Sequence, residues 1–180
     1  MTTASKITLM RIALVPFFIA AALIEFPWHE YVALALFIIA SATDSLDGYV
    51  ARKYDQITDF GKFIDPIADK LLVTAALLIF VERGQMASWA CFIIIAREFM
   101  VSGLRLVAVE KGAVIAAALS GKIKTAASVF CISVMLLPLH DEVLFATVTV
   151  DMVCTAVILL TTVYSGVEYF VVNRAAIDNK

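Results

Sequence analysis

The sequence predicts an all-α, polytopic membrane protein with six transmembrane helices, on three observations. Of its 180 residues, 62% are hydrophobic and only 17% charged, where ordinary soluble domains carry about a quarter charged residues. The apolar residues fall into six blocks, each near the roughly 20 residues that cross a bilayer as a helix. Lysine and arginine gather at every second break between blocks, the asymmetry that orients a chain in a membrane. The composition argues against disorder. A net charge of −2 argues against a nucleic-acid binder, which is usually basic. Cys91, Cys131 and Cys154 stand apart in apolar runs, without CxxC or Cys/His clustering, and read as small core residues. With no Gly/Ser-rich tract, residues 1–180 read as a single domain.

The blocks run Met10–Phe26, Tyr31–Val50, Phe63–Val81, Ala87–Val109, Ile123–Leu139 and Val143–Val172. The first reads as a crossing rather than a cleaved leader, because no clear A-x-A site precedes a soluble sequence. Lys6 and Arg11 lie at the start, and Arg52, Lys53 and Lys62 flank the second break. Lys111, Lys122 and Lys124 flank the fourth, while Arg174 and Lys180 lie at the tail. The other three breaks share only Arg83. Both termini are therefore expected inside, after six crossings. The sixth block is long enough to tilt or to emerge from the bilayer. Trp28 and Trp89, near block ends, fit an interfacial belt. His29 and His140 have no metal-binding neighbours in sequence and read as surface or interface residues.

The informative residues are the charges that a membrane helix should avoid, since an ionisable group at mid-bilayer costs about 2.5–3.5 kcal/mol on insertion scales. Asp44 and Asp47 are spaced i,i+3 at the end of block two. Asp65 and Asp69 are spaced i,i+4 at the start of block three. Each pair shares one helical face, and the short Arg52–Lys62 break makes the two helices antiparallel neighbours. Four carboxylates drawn together would repel and protonate, and divalent cations remove that conflict. Hard oxygen ligands without His or Cys suit Mg²⁺ or Mn²⁺. Gly48 and Gly61 leave room on the acidic faces, and Arg52 offers a fixed cation for phosphate. A plainer reading pairs the acids with Arg52, Lys53, Lys62 and Lys70 at a wet helix end. Pro66, between two of the acids, is expected to kink or loosen its helix.

From Asp44 to Asp69 the chain reads D-x2-D-G-x2-A-R-x8-G-x3-D-x3-D. This resembles the signature of the CDP-alcohol phosphotransferase family. Lys6–Ile12, Arg97-Glu98-Phe99, Ser102-Gly103-Leu104-Arg105 and Gly121–Thr125 are similar to segments of one branch, the phosphatidylglycerophosphate synthases. Ala4-Ser5 depart from a Pro-Asn pair common there. The resemblance implies six transmembrane helices preceded by a short amphipathic N-terminal helix, a homodimer, and a two-metal site that breaks the pyrophosphate of a CDP-linked donor. Carried onto this chain, Asp44, Asp47, Asp65 and Asp69 would hold two Mg²⁺ or Mn²⁺ ions, with Asp69 also the general base. Thr8, Gly48, Arg52, Thr58 and Gly61 would hold the CDP portion. The donor would be CDP-diacylglycerol and the acceptor sn-glycerol 3-phosphate, at the cytoplasmic side of the inner membrane.

The acceptor reading rests on Arg97 and Arg105 inside block four and on Lys122 at the start of block five. Arginines in an apolar helix should face a polar cavity, and a phosphorylated acceptor calls for such cations. The resemblance likewise places these three in the acceptor-phosphate pocket. The plainer reading gives Arg97 to an internal ion pair and Lys122 and Lys124 to membrane anchoring. Glu98 projects about 100° from Arg97, so no direct pair is expected between them. It lies nearly on the face of Arg105, which it is expected to orient. Asp151 and Glu168 find no role beyond a dimer contact or a wet face. Inositol phosphate, phosphatidylglycerol or serine are rival acceptors. A divalent-cation transporter is the rival class, although transporters usually place such acids near the midplane at broken, repeated helices.

Overall fold

The structure, a computed structural model, describes residues 3–53, 59–110, 119–138, 143–145 and 148–173. At residues 3–7, 44–53, 59–66, 69, 107, 109–110 and 143–145 the description is of the backbone alone. Within these bounds the chain is helical apart from one two-stranded pairing. The helices are α1 (Thr3–Leu23), α2 (His29–Lys53), α3 (Asp59–Glu82), α4 (Ser88–Glu110), α5 (Leu119–Met135) and α6 (Val150–Val172).

Each helix buries one stripe. On α1 it is Thr8, Arg11, Val15, Phe18 and Ala22, and on α2 it is Ala33, Phe37 and Ala40, the i, i+3/i+4, i+7 spacing of a single helical face. Phe18 and Phe37 meet where α1 crosses α2, their rings 5.9 Å apart and tilted. Alanines beside these rings let the backbones approach, as packing between helices in lipid requires. Phe80 of α3, Ile94 of α4, Ile132 of α5 and Ile158 of α6 continue the same core. Cys91, Cys131 and Cys154 are free thiols buried within it.

The connections follow from local chemistry. Gly84 takes a left-handed φ of 73° after α3. Its N–H donates to Val81 O at 3.1 Å, and that of Gln85 to Phe80 O at 2.9 Å, the paired bonds of a Schellman cap. Arg83 then donates from Nη2 to the Ala22 carbonyl, tying the end of α3 to the end of α1. Thr149 caps α6 by accepting from the Met152 N–H at 3.4 Å.

Several expectations are corrected. The short N-terminal helix is not a separate element, because α1 runs unbroken from Thr3; no glycine or proline interrupts residues 3–15. α3, Asp59–Glu82, has Pro66 within its span. Block six does not begin as helix. Val143–Phe145 pairs antiparallel with Val148–Thr149, where β-branched residues favour an extended chain. α2 and α3 reach further into the second break than the apolar blocks do. By length and apolarity alone, α6 is the one helix among the described residues able to cross a bilayer; Thr8–Leu23 and His29–Thr43 are apolar but shorter. Charged residues inside α2 to α5 interrupt the other blocks. The outer faces are nevertheless apolar in part: Phe17, Phe92, Phe130 and Leu160 are each at least 65% exposed.

Candidate active site

A cavity of about 980 Å³ opens among α1 to α6. Among the described residues, six cations line it: Arg11, Lys70, Arg97, Arg105, Lys122 and Lys124. One carboxylate, Glu98, faces them. Charges inside an apolar bundle are costly unless paired or turned to a polar cavity, and these turn to the cavity.

The helical stripes explain how these charges come inward. Glu98 lies on the buried face of α4 marked by Cys91, Ile94, Val101 and Ala108. Lys124 heads the buried face of α5, continued by Ser128, Cys131, Ile132 and Met135. The two faces meet, and Lys124 Nζ donates to Glu98 Oε1. Arg97 Nη1 donates to the same oxygen at 3.0 Å. Lys70 is also near enough to bear on the Glu98 charge. Arg97 Nη2 donates to Ser165 Oγ of α6 at 2.6 Å. Arg105 sits over the Tyr169 ring, 5.9 Å from its centroid, a cation–π distance.

This arrangement corrects the expectation for Glu98. It pairs with its neighbour Arg97 and not with Arg105. The long arginine stem spans the 100° between adjacent helical positions, whereas Arg105 stands two turns on, about 10 Å along the axis. Tyr169 supplies Arg105 with a partner at its own level instead. The plainer reading of Arg97 as an ion-paired residue therefore holds together with its place on the cavity wall. Asp151 is also corrected. It is buried and accepts from Gln85 Nε2 at 3.2 Å, so it faces inward rather than to water or a partner. Glu168 is half-buried.

Of the expected acceptor residues, Arg97, Arg105 and Lys122 thus share one cavity. Of the expected CDP residues, Thr8 is buried on α1 and does not line it. One turn on, Arg11 is equally buried and its Nε donates to Thr43 Oγ1 at 3.5 Å, bringing α1 to the residue before Asp44. Asp44, Asp47, Gly48 and Arg52 lie in the last turns of α2, and Gly61, Asp65 and Asp69 in the first turns of α3. The side chains of these residues, and the whole of Thr58, lie outside the described residues. Ser41 and Ala42, just before Asp44, and Lys70, just after Asp69, do line the cavity. Among the described residues no three His, Cys, Asp or Glu side chains cluster as metal ligands.

Arg11, Lys70, Lys124, Ser165 and Tyr169 were not among the expected site residues. Periodicity signals two of them. Arg11 is three residues from Thr8 and four from Val15, and Lys124 is four from Ser128 and seven from Cys131, all on buried stripes.

The profile of the CDP-alcohol phosphatidyltransferases matches residues 1–170. The chain belongs to this family. It is 45% identical to a CDP-diacylglycerol–glycerol-3-phosphate 3-phosphatidyltransferase of Bacillus subtilis, over 96% of this chain and 95% of that one. A protein of the same name in Rickettsia bellii is 36% identical over 91% of each chain. A probable phosphatidylglycerophosphate synthase of Mycobacterium tuberculosis is 38% identical over 92% of this chain and 78% of its own length. Within the family frame, the cationic cavity lies against the helix segments that carry the aspartate signature.

Proposed function

We propose that this CDP-alcohol phosphatidyltransferase transfers the phosphatidyl group of CDP-diacylglycerol to sn-glycerol 3-phosphate, releasing phosphatidylglycerophosphate and CMP. One observation carries the choice of acceptor: Arg97, Arg105 and Lys122 line a single cavity that reaches both signature helices. Cations in that number suit a phosphorylated acceptor better than serine, which carries no phosphate for them to bind. The relatives named above carry the same activity in their names.

In this reading Arg97, Arg105 and Lys122 bind the acceptor phosphate, with Arg105 also stacked on Tyr169. Thr8, Gly48, Arg52, Thr58 and Gly61 hold the CDP portion. Asp69 takes the proton from the acceptor's primary hydroxyl. The resulting alkoxide attacks the phosphorus that bears diacylglycerol. The phosphoanhydride bond breaks, and its electron pair leaves with CMP. Asp44, Asp47, Asp65 and Asp69 are an all-oxygen donor set that fits two Mg²⁺ or Mn²⁺ ions and suits neither a His nor a thiolate metal. Such ions, when bound, supply positive charge beside the attacking and leaving oxygens.

The same reading has six helices crossing the inner membrane, with both termini and the cavity on the cytoplasmic side, and a homodimer as the assembly. The basic residues at alternate breaks and the apolar outer faces support the crossings. Arg97, Glu98 and Arg105 of α4 and Lys122 and Lys124 of α5 do not count against them, because they line the cavity.

The test is CMP release by the purified chain in detergent with CDP-diacylglycerol, Mg²⁺ or Mn²⁺, and a panel of labelled acceptors. Glycerol 3-phosphate is expected to support release, and inositol phosphate, serine and phosphatidylglycerol to fall far below it. Preferential use of any of those three would overturn the acceptor assignment. Undiminished turnover after chelation of divalent ions would overturn the role given to the four aspartates.

A further inference from the structure

Arg97 does not hold its own position in this fold. Its stem runs from α4 towards α6 and passes Gly166. A Cβ at residue 166 would stand 3.0 Å from Arg97 Cγ, 3.6 Å from Nε and 3.9 Å from Cδ. That first distance is tighter than ordinary carbon contact, so any side chain there displaces the stem by a few tenths of an ångström. Directly beside this notch, Ser165 Oγ accepts from Nη2 at 2.6 Å, while Glu98 Oε1 accepts from Nη1 at 3.0 Å. Ser165 is 1% exposed and Gly166 is buried. The two ends of the guanidinium fork are therefore pinned from two different helices, α4 and α6, and the stem is threaded through a glycine gap between them.

We infer that Ser165 and Gly166 are positioning residues for Arg97 and set the affinity for the phosphorylated acceptor. The inference rests on the reading of Arg97 as a phosphate ligand. A guanidinium has five N–H donors, and the bonds to Glu98 and Ser165 engage two of them. Nε–H is buried beside Gly166, so the second N–H groups of Nη1 and Nη2 are the ones left for a phosphate. They meet it well only if the plane of the fork is already fixed, because planar two-point recognition is lost on small rotations. An arginine ordered before substrate arrives also loses less rotamer freedom on binding. Neither Ser165 nor Gly166 needs to touch the reacting atoms. Both act through Arg97.

The experiment uses the full chain purified in detergent, with CDP-diacylglycerol and glycerol 3-phosphate varied in turn. Four proteins are compared with the parent: Ser165→Ala, Gly166→Ala, Arg97→Lys, and the Ser165→Ala/Arg97→Lys double variant. Loss of a hydrogen bond to a charged group predicts that Ser165→Ala raises the acceptor KM about tenfold, and leaves the donor KM within about twofold. Gly166→Ala raises the acceptor KM several-fold with the same selectivity. In the Arg97→Lys background, Ser165→Ala adds less than about twofold, since the fork it positioned is gone. Equal rises in both KM values overturn the inference, and so do fully additive effects in the double variant. An acceptor KM unchanged in Ser165→Ala and Gly166→Ala but raised in Arg97→Lys overturns the positioning role alone. An acceptor KM unchanged in Arg97→Lys overturns the reading of Arg97 beneath it.

Discussion

α6 carries buried polar residues at both ends, and the two ends do different things. Near its start, Asp151 accepts from Gln85 Nε2 at 3.2 Å, and that same amide reaches the Met135 carbonyl at 3.4 Å. Neither Gln85 nor Asp151 lines the large cavity. Near its end, Ser165 and Tyr169 meet Arg97 and Arg105, and all four line it. The first cluster joins one acid and one neutral amide and ties the α3–α4 turn to α5 and α6. Among the described residues, the second sets several cations and one carboxylate around a large cavity. Buried polarity alone therefore does not mark a site. What marks it is an imbalance of charge beside open volume.

The sharpest break between the two ends is expected in the chemical step. Asp69→Asn removes the proposed base and should lower kcat at least about a hundredfold, while the variant still binds CDP-diacylglycerol. The measurements are CMP release and retention of the donor by equilibrium binding. Near-normal turnover would remove Asp69 as the base. Next comes Arg105→Ala, which deletes both a proposed phosphate ligand and the contact with Tyr169. It should raise the acceptor KM roughly 10–100-fold, the range of a charge-assisted hydrogen bond, and raise the donor KM far less. An equal effect on both would argue against the assignment.

A third comparison sets two lysines on α5 side by side. Lys124 is 6% exposed and pairs with Glu98, whereas Lys122 lies on the exposed side of the same helix. Lys124→Met leaves the Glu98 carboxylate with one direct cation fewer in a buried setting, and breaking such a pair costs about 3 kcal/mol. Lys122→Met should change stability by no more than about 0.5 kcal/mol. Unfolding in detergent, followed by denaturant titration, separates the two. Equal loss in both variants would mean that the Lys124 contact contributes nothing.

These residues also show how far the sequence could be read. Six apolar blocks gave the helices, because hydrophobic length is a property of each segment alone. Arg97 and Arg105 stood out because charge inside an apolar block is conspicuous wherever it lies. Lys122 reads as an acceptor-phosphate ligand and Lys124 as a membrane anchor, yet both line the cavity and Lys124 is the buried one. Lys count sets orientation, but periodicity decides burial, and the buried stripe through Ser128 and Cys131 carries that signal. Ser165 and Gly166 gave no signal at all. They are small, uncharged residues in the most apolar helix, and their partner Arg97 lies 68 positions away in the chain for the Ser165 bond. The pairing of Arg97 with Glu98 is missed for a related reason: helical projection places Cβ atoms and says little about the guanidinium at the end of a three-methylene stem.

The smallest expected effect belongs to the start of α6 and tests the contrast from its quiet side. Asp151→Asn keeps an acceptor oxygen for Gln85 Nε2 and removes the charge. Gln85 is neutral, so the exchange replaces the charge-assisted hydrogen bond to it by a neutral one. The cost should be about 1 kcal/mol or less in stability, with kcat and both KM values unchanged. Asp151→Ala should cost more, because Gln85 Nε2 then loses an acceptor in a half-buried position and keeps only the longer contact to Met135 O. Kinetics of both variants beside their unfolding midpoints decide the matter. If Asp151→Asn raised the acceptor KM selectively, the two ends of α6 would be coupled through the helix, and the division between a tying cluster and a binding cluster would fail.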